Sequence, residues 1–260
     1  MQITKNTVAV TGANRGIGLA LASMFATEKN NLILLNRKAD PALEKRFLEL
    51  GALTVKTIPV DLSDIMQTEK IANELAKMNI DVLVNNAGLL TGGQLETQTT
   101  QEIVDMFNVN LVSLVLLTKA VIPGMVKRRR GKIINNASVS GKMFLPSANT
   151  YSASKAGVVG FTESLKVELQ GAGVTTLLLI TPGIKTDMFD QISEKYSSNM
   201  DVSGLSAISA SQWAQEVKLA FINDDARLYP KGITRLGVFV GHHFPDVLGR
   251  LVATRFKRIN

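Results

Sequence analysis

A chain of 260 residues is long enough to bury a substantial core and fits one α/β domain spanning residues 1–260. The absence of cysteine excludes disulfides, thiolate metal sites and a cysteine nucleophile. A formal net charge of +7 favours anionic ligands.

Residues 1–5 lack the apolar core of a signal peptide, and no apolar run reaches the ~18 residues of a membrane span, so the expected location is intracellular. Thr7 to Thr11 is a β-branched run predicted as a buried strand. It runs into Gly12-Ala13-Asn14-Arg15-Gly16-Ile17-Gly18 and then into a helical pattern through Leu19, Leu21, Ala22 and Phe25. Strand, glycine turn and helix in that order form the setting in which glycines let backbone approach a pyrophosphate at a helix N-terminus. The spacing is G-x-x-x-G-x-G, not the general G-x-G-x-x-G.

The second predicted strand, 31–36, ends in Asn36-Arg37-Lys38. An NAD site usually carries Asp or Glu there to accept hydrogen bonds from the ribose. An arginine instead pairs with a 2′-phosphate, so the expected dinucleotide is NADP(H), unless Arg37 is only a solvated loop cation. Asp40, followed by Pro41, reads as a helix cap.

Further strands are predicted at 54–60, 80–85, 131–137, 174–180 and 235–240, alternating with stretches of helical length. Near-continuous apolar runs such as Leu32-Ile33-Leu34-Leu35 suit a parallel sheet covered on both faces. The expected fold is α/β, a doubly wound parallel (Rossmann) sheet of about seven strands with ligand sites at the strands' carboxyl ends. Gly12, Arg37, Asp61, Asn86, Ser138 and Pro182 all fall just past strand ends. Asn136-Ala137-Ser138 matches a glycosylation sequon but sits at the end of a buried strand. Lys127-Arg128-Arg129-Arg130 and Lys132 read as a solvated turn, and without interleaved aromatics they do not predict nucleic-acid binding. His242 and His243 are adjacent, so on a strand they would face opposite sides, against a Ser-His-Asp triad or a histidine metal site.

Tyr151 and Lys155 are four apart on a predicted helix and so share a face. Free tyrosine ionises near pH ~10 and lysine near ~10.4. An ammonium beside the phenol favours phenolate and makes the tyrosine a usable acid/base for an alcohol oxygen. Most such pairs are solvated helix residues, so the pair needs partners.

TGANRGIG at 11–18, NNAG at 85–88, Asn110, Ser138, YSASK at 151–155 and PGIKT at 182–186 together resemble the short-chain dehydrogenase/reductase family over roughly the first 190 residues. The resemblance implies a cofactor site of Gly12, Asn14, Arg15, Gly16, Ile17, Gly18, Asn36 and Arg37, with Arg15 also favouring NADP. It places Asp61 and Leu62 at the adenine edge, and Asn86, Ala87 and Gly88 at the adenine ribose. It makes Tyr151 the proton donor, Ser138 the holder of the substrate oxygen and Lys155 the group that binds the nicotinamide ribose and lowers the tyrosine pKa. Asn110 would hold a relay water, and Pro182, Gly183, Ile184 and Thr186 would lie against the carboxamide. From the residues alone, Asn110 can equally be a buried helix polar, Ser138 a strand-end cap and Thr186 a helix cap.

The family also implies a substrate lid over about 185–210, here with Met188, Phe189, Ile192, Tyr196, Met200 and Leu205, and with Phe144 and Leu145 nearby. These side chains suit a lipophilic carbonyl compound or pack on the body of the protein. At 245–260, Val247, Leu248, Leu251, Val252 and Phe256 recur at helical spacing among Arg250, Arg255, Lys257 and Arg258. Such a basic amphipathic segment either lies peripherally on a membrane surface or packs on protein. The leading expectation is an NADPH-dependent reductase of a lipophilic or acyl-chain ketone or aldehyde (3-oxoacyl, steroid or retinoid-like), cytoplasmic, without metal, and a homodimer or homotetramer. The alternatives are an NADP-dependent alcohol dehydrogenase working oxidatively and a non-catalytic NADP(H)-sensing protein.

Overall fold

Alternation along the central strands decides which helices cover each face of the sheet. The structure, a computed structural model, describes residues 1–196, 206–254 and 256–258. Strands β1 (Thr7–Thr11), β2 (Asn31–Asn36), β3 (Thr54–Pro59), β4 (Val82–Asn85), β5 (Gly131–Asn136) and β6 (Val174–Leu179) are all parallel. A separate ladder joins β7 (Ile184–Lys185) to β8 (Ile208–Ser209), and β9 (Arg227–Leu228) closes the main sheet in the order β3-β2-β1-β4-β5-β6-β9. The order reverses between β1 and β4, so a crevice opens at the carboxyl ends of those two strands.

The helices are α1 (Gly16–Thr27), α2 (Pro41–Glu49), α3 (Ile65–Leu75), α4 (Thr100–Phe107), α5 (Ser113–Lys127), α6 (Asn149–Glu168), α7 (Asp187–Tyr196), α8 (Ala210–Ile222), α9 (Gly232–His243) and α10 (Pro245–Ala253). Val8, Leu32, Val82 and Leu177 point to one face, where they pack with Phe25 of α1, Phe47 of α2 and Trp213 of α8. Ala9, Ile33, Leu83 and Ile133 point to the other, against Leu75 of α3, Leu117 of α5 and Leu165 of α6. Each fully buried Leu, Val or Phe contributes about 1.5–3 kcal/mol. Phe25 and Phe221 meet edge to face at 5.7 Å, which ties α1 to α8. Asp40 caps α2 as expected, accepting from the Leu43 amide at 3.0 Å.

Three expectations need correction. Residues 235–240 form part of α9, not a strand: β9 already fills the last slot of the sheet, with the Leu178 and Ile180 amides donating to Ala226 and Leu228 at 3.0 and 2.8 Å. The run Leu236-Gly237-Val238-Phe239-Val240 satisfies either period, and α9 buries only Val238 and Gly241 of its length. His242 and His243 therefore sit side by side at the end of a helix, their rings 4.9 Å apart.

Secondly, the helical run Thr100–Lys127 is long and apolar enough to cross a membrane by length and composition alone. Its Leu117, Val121 and Met125 are built into the sheet-facing core, which explains the apolarity without a bilayer. Thirdly, the basic cluster is an exposed turn, as expected at Lys127, Arg129 and Arg130, but its arginines also bond back to the fold. Arg128 donates to the Ile80 carbonyl at 2.6 Å, Arg129 to Gly171 at 2.9 Å and Arg130 to the Asn6 side chain at 2.7 Å. Lys132 is fully buried and pairs with Asp224.

Candidate active site

Six loops leave the carboxyl ends of the sheet and meet over the crevice. The first is the glycine turn after β1. Gly12 and Gly16 adopt φ of +65° and +55°, and a Cβ on Gly18 would stand 1.9 Å from the Gly12 carbonyl oxygen. Arg15 takes the N-cap position of α1 but provides no side-chain cap, so the first amides of that helix are open to an anion. Asn14 and Arg15 are exposed, Ile17 packs against the core, and Arg15 pairs with Asp187 at 3.1 Å.

At the end of β2, Asn36 is buried, and its Oδ1 accepts from the Ala13 amide at 2.8 Å. Its Nδ2 is buried without a partner, an orphaned donor at the place where a ribose would lie. Arg37 is exposed beside it. The open cradle, the orphaned amide and the arginine fit a dinucleotide carrying a 2′-phosphate. At the end of β3, Asp61 turns one carboxylate oxygen into its own loop, accepting from Ser63 N and Oγ at 3.0 and 2.7 Å. The Leu62 side chain goes into the core, which leaves its backbone for the crevice.

The loop after β4 is locked to the first. Asn86 Nδ2 donates to the Thr11 and Gly12 carbonyls at 3.2 and 3.3 Å, while the Asn86 and Ala87 amides both donate to Thr11 Oγ1 at 2.9 Å. Gly88 lies between two groups: a Cβ there would stand 3.4 Å from Asn110 Oδ1 and 3.6 Å from Lys155 Nζ. Asn110 sits in a π-helical turn, Asn108–Val112, between α4 and α5. Its side chain accepts from the Leu89 amide at 2.7 Å and donates to the Leu89 carbonyl at 3.0 Å and to Ser154 Oγ at 3.1 Å. The π turn aims Asn110 across to this loop and to α6, not along its own helix.

Tyr151 and Lys155 stand one turn apart on α6, with Lys155 Nζ 5.9 Å from the tyrosine ring centroid. Lys155 is buried and donates to the Asn136 carbonyl at 2.9 Å. Burial pulls its pKa from 10.5 to about 8. Burial pushes the Tyr151 phenol up, and a hydrogen bond with Ser138 draws it partly back. The expected lowering of the tyrosine by its lysine is not found: depth raises the phenol, and the group that draws it back is Ser138. Ser138 is buried just past β5, and its Oγ also accepts from the Ser140 amide at 3.2 Å, so the capping and active-site readings coexist.

Beyond β6, Ile184 is buried, Pro182 and Gly183 are half-buried, and a Cβ on Gly16 would stand 3.1 Å from Thr186 Cγ2. Thr186 also caps α7, with Oγ1 accepting from the Phe189 amide at 3.3 Å. Met200 and Leu205 of the expected lid lie outside the described residues.

Sequence reasoning missed Asn136, and it named Tyr196 only as a lid residue without foreseeing where its ring packs. Asn136 accepts from Thr181 Oγ1 at 2.5 Å and donates to Asn86 Oδ1 at 3.0 Å, joining the ends of β4, β5 and β6. Its position inside the discounted sequon was the available signal. Tyr196, at the end of α7, is buried and donates to the Thr91 carbonyl at 2.9 Å. Its ring occupies the space above Gly92, where a Cβ would stand 1.7 Å away. Burial pushes its phenol up, with the charge of Tyr151 adding to the effect.

The model of the short chain dehydrogenase family matches residues 6–197. The 3-oxoacyl-[acyl-carrier-protein] reductase FabG of Buchnera aphidicola is 31% identical over 235 residues, covering 87% of this chain and 93% of that protein. Ketoacyl reductase HetN of Nostoc is 32% identical over 184 residues, 70% of this chain but 64% of that protein's length. A metagenomic short-chain oxidoreductase solved in complex with NADP superposes with a TM-score of 0.69 at 31% identity, over 84% of this chain and 91% of that one. With the crevice built from these residues and the family model spanning most of the fold, the chain belongs to the short-chain dehydrogenase family.

Proposed function

We propose that this protein is an NADPH-dependent reductase that converts a lipophilic or acyl-chain ketone or aldehyde to an alcohol, with Tyr151 as proton donor. The observation that carries the reading is the meeting of Ser138, Asn110 and the Tyr151–Lys155 pair of α6 from three separate segments around one point of the crevice. When bound, the reduced nicotinamide supplies the hydride. The glycine turn and the α1 amides hold the pyrophosphate, Asn36 Nδ2 the adenine ribose and Arg37 the 2′-phosphate. Asn14, Arg15 and Ile17 complete that turn. Asp61 and Leu62 border the adenine, while Asn86, Ala87 and Gly88 line its ribose. Pro182, Gly183, Ile184 and Thr186 orient the carboxamide.

Ser138 and Tyr151 hold the carbonyl oxygen, and Tyr151 passes its phenolic proton to that oxygen. A phenol held protonated by burial is suited to a donor. Lys155 holds the nicotinamide ribose, and Asn110 positions a water in a relay through Lys155 that replaces the Tyr151 proton. The segment 185–210 acts as a lid, in which Phe189 presents apolar surface and the buried Tyr196 fastens the end of α7 to Thr91. FabG and HetN carry oxoacyl and ketoacyl names, which supports an acyl-chain substrate. NADP in the metagenomic relative supports the cofactor assignment. In this reading the protein is a cytoplasmic homodimer or homotetramer whose segment 245–260 contacts a membrane surface.

The test is NADPH oxidation against 3-oxoacyl thioesters, steroids, retinal and small diketones. Turnover of at least one lipophilic carbonyl, cut at least a hundredfold by Ser138→Ala, is expected. Undiminished turnover in Ser138→Ala contradicts the site.

A further inference from the structure

The C-terminal pair of helices carries an uncovered apolar face much wider than the segment 245–260. Ile233, Leu236 and Phe239 on α9, Phe244 at the corner, and Val247 and Leu251 on α10 are each more than half exposed, Ile233 at 78%. At about 100° per residue, Ile233, Leu236 and Phe239 fall within an arc of roughly 120°, opposite the buried Val238 and Gly241. Val247 and Leu251 share an arc of about 40° on α10, beside the turn of Leu248 that packs on Gly241, and Phe244 stands at the non-helical corner before them. Phe239 also touches His243 and Phe244, with ring centroids 4.6 and 6.4 Å apart, so the two stripes join at the corner. Arg235 lies one turn before Phe239 and Arg250 one turn after Val247, and both are exposed.

Charge decides what covers this face. Between positions 231 and 258 there are six lysines and arginines and one acid, Asp246; Lys231 and Arg258 pair with Glu216 and Glu96, and the exposed Arg235 and Arg250 stand on the two helices that carry the stripes. A second copy meeting the face across a two-fold axis would bring like charges together. An anionic bilayer supplies both halves of the match: acyl chains for the stripes, and phosphates for arginines at their edges.

The face also borders the crevice. Gly241 packs on Met143, whose Cγ would stand 2.9 Å from a Cβ there, and Met143 follows Ser138 by five residues. Exposed Phe144 comes next, and Arg258 reaches back to Glu96 beside exposed Leu95.

We infer that α9 and α10 together form a docking surface for an anionic phospholipid bilayer, with α9 as the principal anchor, and that this delivers a membrane-dissolved ketone to the crevice. The inference rests on the membrane contact proposed above for the segment 245–260 and extends it to α9. The test is co-sedimentation of the full chain with phosphatidylglycerol or phosphatidylcholine vesicles, with turnover of a water-soluble ketone measured in parallel. The wild type is expected to pellet with the anionic vesicles, and high salt to release it. The triple variant Ile233→Glu, Leu236→Glu, Phe239→Glu is expected to bind at least tenfold more weakly, with NADPH binding and soluble-ketone turnover unchanged.

If that variant binds normally while Arg250→Glu, Lys257→Glu, Arg258→Glu does not, the α9 anchor is overturned and the tail contact stands. Absence of wild-type binding overturns both. A concentration-dependent dimer that the triple variant abolishes, without vesicle binding, assigns the face to a second copy. Loss of ketone turnover in the wild type counts against the reductase reading alone.

Discussion

Depth sets the chemistry of the Tyr151–Lys155 pair as much as proximity does. Burial raises the phenol and lowers the ammonium to about 8, so near neutral pH both still carry their protons. For Lys155 the folded value lies below the ordinary 10.5, so its buried charge costs stability below pH 8. That cost, roughly 3 kcal/mol at about 1.4 kcal/mol per unit, is relieved as pH rises from about 8 toward 10.5. Two outcomes follow for the same residue. Reductive turnover should fall as pH climbs through about 8 and Lys155 loses its proton, and the wild type should gain stability over the same span. Lys155→Met should lack both trends in pH–rate and urea-unfolding series, and an unchanged alkaline limb would remove Lys155 from the proton path. The sequence made this pair legible because four residues make one helical turn. It did not show Asn136, whose carbonyl receives the lysine and whose side chain joins three strand ends.

At the scale of elements, β1 to β6 were legible to within one or two residues, because apolar runs of that length between glycines and helices have little else to form. The stretch 235–240 was not, since its valines and phenylalanine suit either period and the sheet had already been closed by two residues of β9. The close fit of α7 onto Gly92 was equally invisible, because nothing local to Gly92 records a ring arriving from Tyr196. That contact gives its own prediction. Gly92→Ala puts a methyl into the Tyr196 ring and should cost about 1–3 kcal/mol in denaturant unfolding, the usual range for overpacking. In a Tyr196→Ala background the same change should cost almost nothing, because the clash has gone. Equal penalties in both backgrounds would mean that Tyr196 does not sit on Gly92.

Over the whole molecule, the parallel sheet does the organising. Its strand order reverses between β1 and β4, and the loops after six strands converge at that end. Strand-end placement was legible in the sequence, and the strand order brings the loops that carry the glycine turn, Asn86, Ser138 and Pro182 to one end of the sheet. Substrate identity was less legible, because in the proposed reading it depends on side chains from the lid and the C-terminal helices, whose packing no motif encodes. The central claim is that Tyr151, half-buried in the crevice, gives its proton to a carbonyl oxygen. It is tested most directly by mixing enzyme-bound NADPH with a medium-chain 3-oxoacyl thioester and following a single turnover by nicotinamide absorbance, in the wild type and in Tyr151→Phe. The account predicts oxidation at least a thousandfold slower in Tyr151→Phe with NADPH bound as tightly as before, whereas oxidation at the wild-type rate would contradict it.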